Sequence, residues 1–166
     1  MVVTDAQIES LAARVGQSLL AARARIATAE SCTGGWIAKS LTDVAGSSAW
    51  FDYGFITYGN NAKQDMLNVD SELIGDHGAV SQEVAEQMAV GARRISGADL
   101  AVAVTGIAGP DGGTEEKPVG TVWLAWSGPG AEMTSQMELF TGNRESVRRQ
   151  TVAMALQRVL EQLASS

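Results

Sequence analysis

The chain of 166 residues holds one cysteine, Cys32, so it cannot close an internal disulfide. That scarcity fits a reducing compartment, and the cytoplasm is the expected location. Histidine is equally scarce, with His77 alone available to activate a serine. No apolar run approaches the roughly 20 residues needed to cross a bilayer. The start, Met1-Val2-Val3-Thr4-Asp5, lacks a basic stretch followed by an apolar one, so no secretory leader is expected. Positive charge is also short: 12 Lys and Arg stand against 19 Asp and Glu, for a net charge of −7. Attraction to polyanionic nucleic acid or membrane comes from counterions released around Lys and Arg, so an acidic chain is expected to bind neither. One small phosphate is different, because one or two guanidinium groups suffice for it. Arg144, Arg148 and Arg149 lie close together in the sequence.

What is present is a globular composition, 45% hydrophobic and 19% charged, of a length that suits one domain over residues 1–166. No repeat or linker divides it. Thr4 to about Ala22 reads as a helix, with Thr4 and Gln7 in a capping-box pattern and Ile8, Leu11, Val15 and Leu19 at helical spacing. Arg25–Glu30 is a short strand, and Gly34-Gly35 open a helix to about Leu41. Phe51–Tyr58 has the aromatic and β-branched content of a strand, and Asn60–Leu67 reads as a short helix. Ile74–Gly78 reads as a loop that puts His77 on the surface. Ser81 caps a longer helix with Val84, Met88, Ala92 and Ile95 on one face. Asp99–Thr105 is almost continuously apolar, as a strand buried on both faces is. Val119–Trp126 and Met133–Phe140 read as two strands joined by Gly128-Pro129-Gly130, and Asn143 starts a last helix. Helices interspersed with strands predict a three-layer α/β/α domain, and the adjacent late strands make its sheet mixed.

Two segments have the character of ligand loops beyond strand ends. In Thr28-Ala29-Glu30-Ser31-Cys32-Thr33-Gly34-Gly35, small residues let backbone approach a ligand, and the helix start offers N–H groups to an oxyanion or phosphate. The same pattern also suits a plain tight turn capped by Thr33 or Ser31. Ser31 and Cys32 are neighbouring nucleophiles that point to opposite faces, so at most one serves a site. A lone cysteine is more often a small buried hydrophobe. A serine can be activated by a lysine kept neutral through burial, which directs attention to Tyr58-Gly59-Asn60-Asn61-Ala62-Lys63. From spacing alone, an edge-of-sheet tyrosine and a solvated helical lysine are the more expected reading. The segment Thr105–Gly113, with Asp111 as its only charge, is a binding loop or a turn. Arg144 and Arg148 share a helix face and either clamp a phosphate or pair with surface acids. Trp36, Trp50, Trp123 and Trp126 suit core or interface positions better than a base-stacking platform.

These motifs resemble the CinA carboxy-terminal domain family over essentially the whole chain. The likeness rests on the Thr28–Gly35 segment, Gly46-Ser47-Ser48-Ala49-Trp50-Phe51, Tyr58–Lys63, Gly78-Ala79-Val80-Ser81, Thr105–Gly113 and Lys117-Pro118-Val119-Gly120-Thr121-Val122. The resemblance implies a three-layer fold with a mixed, mostly parallel five-stranded sheet and a homodimer or larger homo-oligomer. It implies hydrolysis of nicotinamide mononucleotide to nicotinic acid mononucleotide and ammonia, without cofactor or metal. It carries a serine, tyrosine and lysine set onto Ser31, Tyr58 and Lys63. Substrate binding is expected from Thr33, Gly34, Gly35, Ser48, Thr105, Gly106, Gly109, Gly112, Gly113, Arg144 and Arg148. Longer relatives carry an amino-terminal domain with nucleotide pyrophosphatase chemistry, which is not expected here. The competing reading is a nucleotide-binding or regulatory module without catalysis, linked to competence or DNA damage.

Overall fold

In the computed structural model, which describes residues 2–128 and 132–165, the helices and strands interleave around one sheet. In chain order they are α1 (Asp5–Ala22), β1 (Ile26–Glu30), α2 (Trp36–Thr42), a 3₁₀ turn (Ser47–Ala49), β2 (Phe51–Ile56), α3 (Asn60–Leu67), α4 (Ser71–His77), α5 (Gln82–Ser96), β3 (Leu100–Gly106), β4 (Thr121–Ser127), β5 (Met133–Leu139) and α6 (Arg144–Ala164). The sheet order is β2-β1-β3-β4-β5. β1 pairs in parallel with β2 and β3, whereas β4 pairs antiparallel with both β3 and β5. The sheet is therefore mixed, with four strands running one way. No helix among the described residues is long and apolar enough to cross a membrane.

Local chemistry accounts for most of these boundaries. The Thr4 hydroxyl accepts from Gln7 N while the Gln7 side chain accepts from Thr4 N, closing the capping box of α1. Ser81 and Asn143 cap α5 and α6 through side-chain oxygens that accept from Val84 N and Ser146 N. Two expectations need correction. Residues 71–77 form α4 rather than a loop, because Asp70 accepts from Glu72 N at its start and Gly78, at φ 77°, ends it; His77 is exposed as expected. β2 stops at Ile56 rather than Tyr58: its partner β1 ends at Glu30, and only the Thr57 N–H still reaches the Glu30 carbonyl, at 2.9 Å. Pro129 and Gly130 of the expected β4–β5 turn lie outside the described residues.

The two faces of the sheet differ in size of side chain, and that difference positions the site. Leu100, Val102, Val104, Val122, Leu124 and Trp126 join a core with α1, α2 and α6. The other face presents Ala27, Ala29, Ala101, Ala103 and Ala125 to α5. Short side chains let α5 approach the sheet closely, and α3 closes on α5 in turn. A Cβ placed on Gly91 of α5 would stand 2.1 Å from the Leu67 carbonyl oxygen at the end of α3. Ile95, expected on this apolar face, is 43% exposed at the last turn of α5.

Gly91→Ala separates helix propensity from packing. Propensity favours alanine by about 1 kcal/mol, whereas a side chain driven into a carbonyl in a packed contact costs about 1–3 kcal/mol or more. The expected outcome is net destabilisation, read as a lower urea midpoint with an unchanged slope. A stabilised variant would show that α3 is not held against α5 in this way.

Candidate active site

In the order β2-β1-β3 the chain leaves β1 on one side and returns on the other. Such a reversal opens a crevice beyond the carboxyl ends of the strands. Three segments meet there: the turn after β1, the connection from β2 to α3, and the loop after β3. Strand alternation sends Thr28 and Glu30 toward α2, whereas Ser31 turns toward α3. The Glu30 carboxylate is buried and accepts from Thr33 Oγ1 at 2.6 Å, from Ile37 N at 2.8 Å and from Ala38 N at 3.0 Å. It acts as the cap that α2 lacks, since the N-cap residue is Gly35 at φ 102°. Gly34, at φ 60°, and Gly35 are placed where the turn requires positive φ. Burial pushes the Glu30 carboxyl up, against the opposing effect of these hydrogen bonds.

Lys63 is 1% exposed, in the first turn of α3. Its Nζ lies 3.1 Å from Ser31 Oγ, 2.9 Å from the Thr57 carbonyl oxygen and 3.0 Å from the Tyr58 carbonyl oxygen. No ion pair among the described residues includes it. Burial therefore pulls its pKa below the ordinary value of 10.5. A neutral amine has two N–H bonds and one lone pair. Here two carbonyls accept from the amine, and its third contact is the Ser31 hydroxyl, which also donates to the Tyr58 carbonyl at 3.3 Å. The arrangement can accept a proton from Ser31.

A cavity of about 260 Å³ opens onto this pair, lined among others by Ser31, Tyr58, Asn60, Lys63, Thr105 and Arg144. It is small for a ligand site. Gly106, Gly109, Asp111 and Gly112 form one wall, and Ala79 and Val80 another. Thr105 Oγ1 donates to the Ala79 carbonyl at 2.9 Å, joining those two walls. At the rim Arg144 donates to the Gly109 carbonyl at 2.7 Å and to the Tyr58 hydroxyl at 3.1 Å. Tyr58 thus touches the Ser31–Lys63 pair through its carbonyl, while its phenol, on a residue 59% exposed, faces Arg144.

Several expected binding residues lie elsewhere. The Ser48 carbonyl accepts from Arg25, at the amino end of β1 and so at the opposite end of the strand from Ser31. Arg148 donates to the Cys32 and Thr33 carbonyls at 3.0 and 3.2 Å and stacks over Trp36; it braces the turn from behind. Thr33, Gly34, Gly35 and Gly113 do not line the cavity. Of the N–H groups at this helix start, Gly34 N donates to the Ser31 carbonyl, and Ile37 N and Ala38 N donate to the Glu30 carboxylate. The sequence reading also missed Asn60, Ala79 and Val80 as lining residues. The one available signal for the last two was the Gly78-Ala79-Val80-Ser81 motif itself.

The CinA C-terminal domain family model matches residues 8–163. The chain belongs to that family. Among its relatives, the nicotinamide-nucleotide amidohydrolase PncC of Escherichia coli K12 is 53% identical over 160 residues, covering 96% of this chain and 97% of that protein. The protein of the same name from Pseudomonas putida is 55% identical over 154 residues, covering 93% and 96%. A CinA-like protein of Akkermansia muciniphila is 53% identical over 137 residues, 82% of this chain but 33% of that longer protein. Among solved structures, a CinA superfamily protein of Klebsiella pneumoniae superposes with a TM-score of 0.92 at 40% identity, covering 96% and 99% of the two chains. A competence/damage-inducible protein of Agrobacterium tumefaciens gives 0.92 at 47% identity over 99% of each.

Within this CinA domain the neighbouring thiol is chemically quiet. Cys32 packs in the core with 4% exposure, and burial pushes its pKa up to about 12. At pH 8 the thiolate fraction is then on the order of 10⁻⁴, which makes the residue a poor nucleophile. The folded protein should resist thiol alkylation at pH 8 and take up one label per chain on unfolding. Rapid labelling of the native protein would contradict this placement of the thiol.

Proposed function

We propose that this chain is a nicotinamide-nucleotide amidohydrolase that converts nicotinamide mononucleotide to nicotinic acid mononucleotide and ammonia. The observation that carries the reading is the buried Lys63 amine 3.1 Å from Ser31 Oγ, its other two hydrogen-bonding directions taken by carbonyls. The names of the near-full-length relatives supply the substrate. Neutral Lys63 takes the Ser31 proton, and Oγ attacks the carboxamide carbon. The Lys63 ammonium returns that proton to the departing nitrogen, ammonia leaves, and an ester to Ser31 remains. Lys63 then deprotonates a water that cleaves the ester, and Ser31 regains its proton. The direct Ser31–Lys63 contact favours this route over a relay through the Tyr58 phenol, whose partner is Arg144. Tyr58 and Arg144 form the rim where the ribose phosphate lodges, with the Thr105–Gly112 loop around the sugar.

Ammonia release from nicotinamide mononucleotide, nicotinamide riboside and nicotinamide tests the reading, with turnover expected for the mononucleotide. Ser31→Ala should lower kcat by about 10⁴-fold or more, and Cys32→Ala should leave it within a few-fold. Because only the neutral amine acts, and because burial lowers the Lys63 pKa, kcat/KM should rise with pH along a limb centred below 10.5. An active Ser31→Ala enzyme, or tight mononucleotide binding without ammonia, would overturn the proposal.

The reading includes a cytoplasmic location, on the single cysteine, and self-association. Edge strand β2 leaves Tyr53 and Ile56 47% and 52% exposed beside the rim residue Tyr58, an apolar edge that a second copy would cover. Light scattering at micromolar concentration should report a dimer or larger, and a monomer would refute it.

A further inference from the structure

The buried group that the proposed chemistry leaves idle is the Glu30 carboxylate, 1% exposed and next in sequence to the nucleophile. We infer that Glu30 is the positioning residue of the Ser31–Lys63 pair, an inference that rests on the serine–lysine reading above. Both members of the pair are referenced to it. On the serine side, its carboxylate holds the start of α2 through Ile37 N and Ala38 N and holds the turn through Thr33 Oγ1, so the five residues between β1 and the helix cannot relax. The Ser31 N–H is fixed at the same time on the Val104 carbonyl of β3, at 3.0 Å. On the lysine side, the Glu30 carbonyl accepts from Thr57 N at 2.9 Å, and the Thr57 carbonyl is the shortest of the three Lys63 contacts, at 2.9 Å. One residue thereby sets the height of the hydroxyl and of the carbonyl that aims the amine.

The carboxylate also has the right chemistry to do this without disturbing the base. An acid beside a buried lysine would normally hold it protonated. Glu30 faces α2, on the opposite side of β1 from Lys63, and its oxygens are spent on three donors. Burial alone, with no carboxylate, dominates the Lys63 environment.

The test uses the full chain with kcat referred to folded protein. Glu30→Gln keeps an acceptor for Thr33 and Ile37 but turns an amide N–H₂ toward Ala38 N. It should lower kcat by about 100-fold, the loss expected of reacting groups displaced by about 1 Å. KM should change less than threefold, and the pH limb of Lys63 should keep its midpoint. Thr33→Val, which deletes only the hydroxyl bond, should lower kcat about 10-fold and serves if Glu30 variants do not fold. A readout independent of the amide substrate is the rate at which a fluorophosphonate labels Ser31, which should fall in parallel. Wild-type labelling and kcat in a folded Glu30→Gln protein, or in Thr33→Val, would overturn the inference. A merely structural role would lower the melting temperature and leave kcat per folded molecule intact, which also overturns it. Should the wild type fail on nicotinamide mononucleotide while Ser31 labelling still depends on Glu30, the substrate reading fails and the positioning role stands.

Discussion

A primary amine shut away from water, with no ion pair to it among the described residues, is the constraint around which this domain is organised. Desolvating an ammonium costs several kcal/mol even after relaxation, which pulls the pKa of such an amine down. Lys63 is tolerable because the segment leading into α3 offers two carbonyls, those of Thr57 and Tyr58, within 3.0 Å. Those carbonyls are available because β2 stops pairing at Ile56, freeing the next two residues from the ladder. The place where the sheet ends is therefore also the place where the amine is solvated by backbone.

The remaining architecture brings α3 to that spot. An alanine surface on three central strands lets α5 lie close to the sheet, and Gly91 lets the end of α3 lie close to α5. Larger side chains on that face would lift both helices away from the Ser31 turn. The opposite face carries the bulk: leucine, valine and tryptophan from the sheet meet α1, α2 and α6 there, and apolar burial at about 25 cal/mol per Å² gives that side most of the driving force for folding. The larger apolar burial and the close approach of α3 and α5 are in this sense assigned to different faces of one sheet.

That division explains what could be read from the chain. Elements whose signals are local were legible: the Thr4–Gln7 box, the Ser81 and Asn143 caps and the apolar run of β3 all appear within a residue or two of their expected places. Short α4 was not, because its Ser-Glu-Leu-Ile-Gly-Asp-His composition has no apolar period and its formation depends on the Asp70 cap. In the site, residue types pointed to Ser31 and Lys63, but their meeting across 32 positions is a property of sheet order, which no local pattern encodes. Arg148 and Ser48 illustrate the converse. Both are suggestive in the sequence, yet Arg148 donates to the Cys32 and Thr33 carbonyls and the Ser48 carbonyl accepts from Arg25, all of them structural ties. Sequence proximity cannot distinguish an arginine braced against backbone from one facing a ligand.

The charge balance leads to a final consequence for ligand entry. A chain of net charge −7 repels an anion at long range, but at physiological ionic strength that field decays over about 8 Å. Within such a distance the local arrangement decides. At the cavity rim the exposed cation is Arg144, whose guanidinium is oriented by a carbonyl of the glycine loop and by the Tyr58 phenol, with Asp111 the carboxylate on the same wall. A guanidinium held between two neutral oxygen acceptors keeps its full charge, since neither partner neutralises it. On the reading proposed above, a phosphate arriving there would replace neutral partners by an opposite charge, in the bidentate geometry that guanidinium and phosphate share. Under that proposal, one oriented guanidinium at the rim reconciles a net charge of −7 with a small phosphorylated ligand.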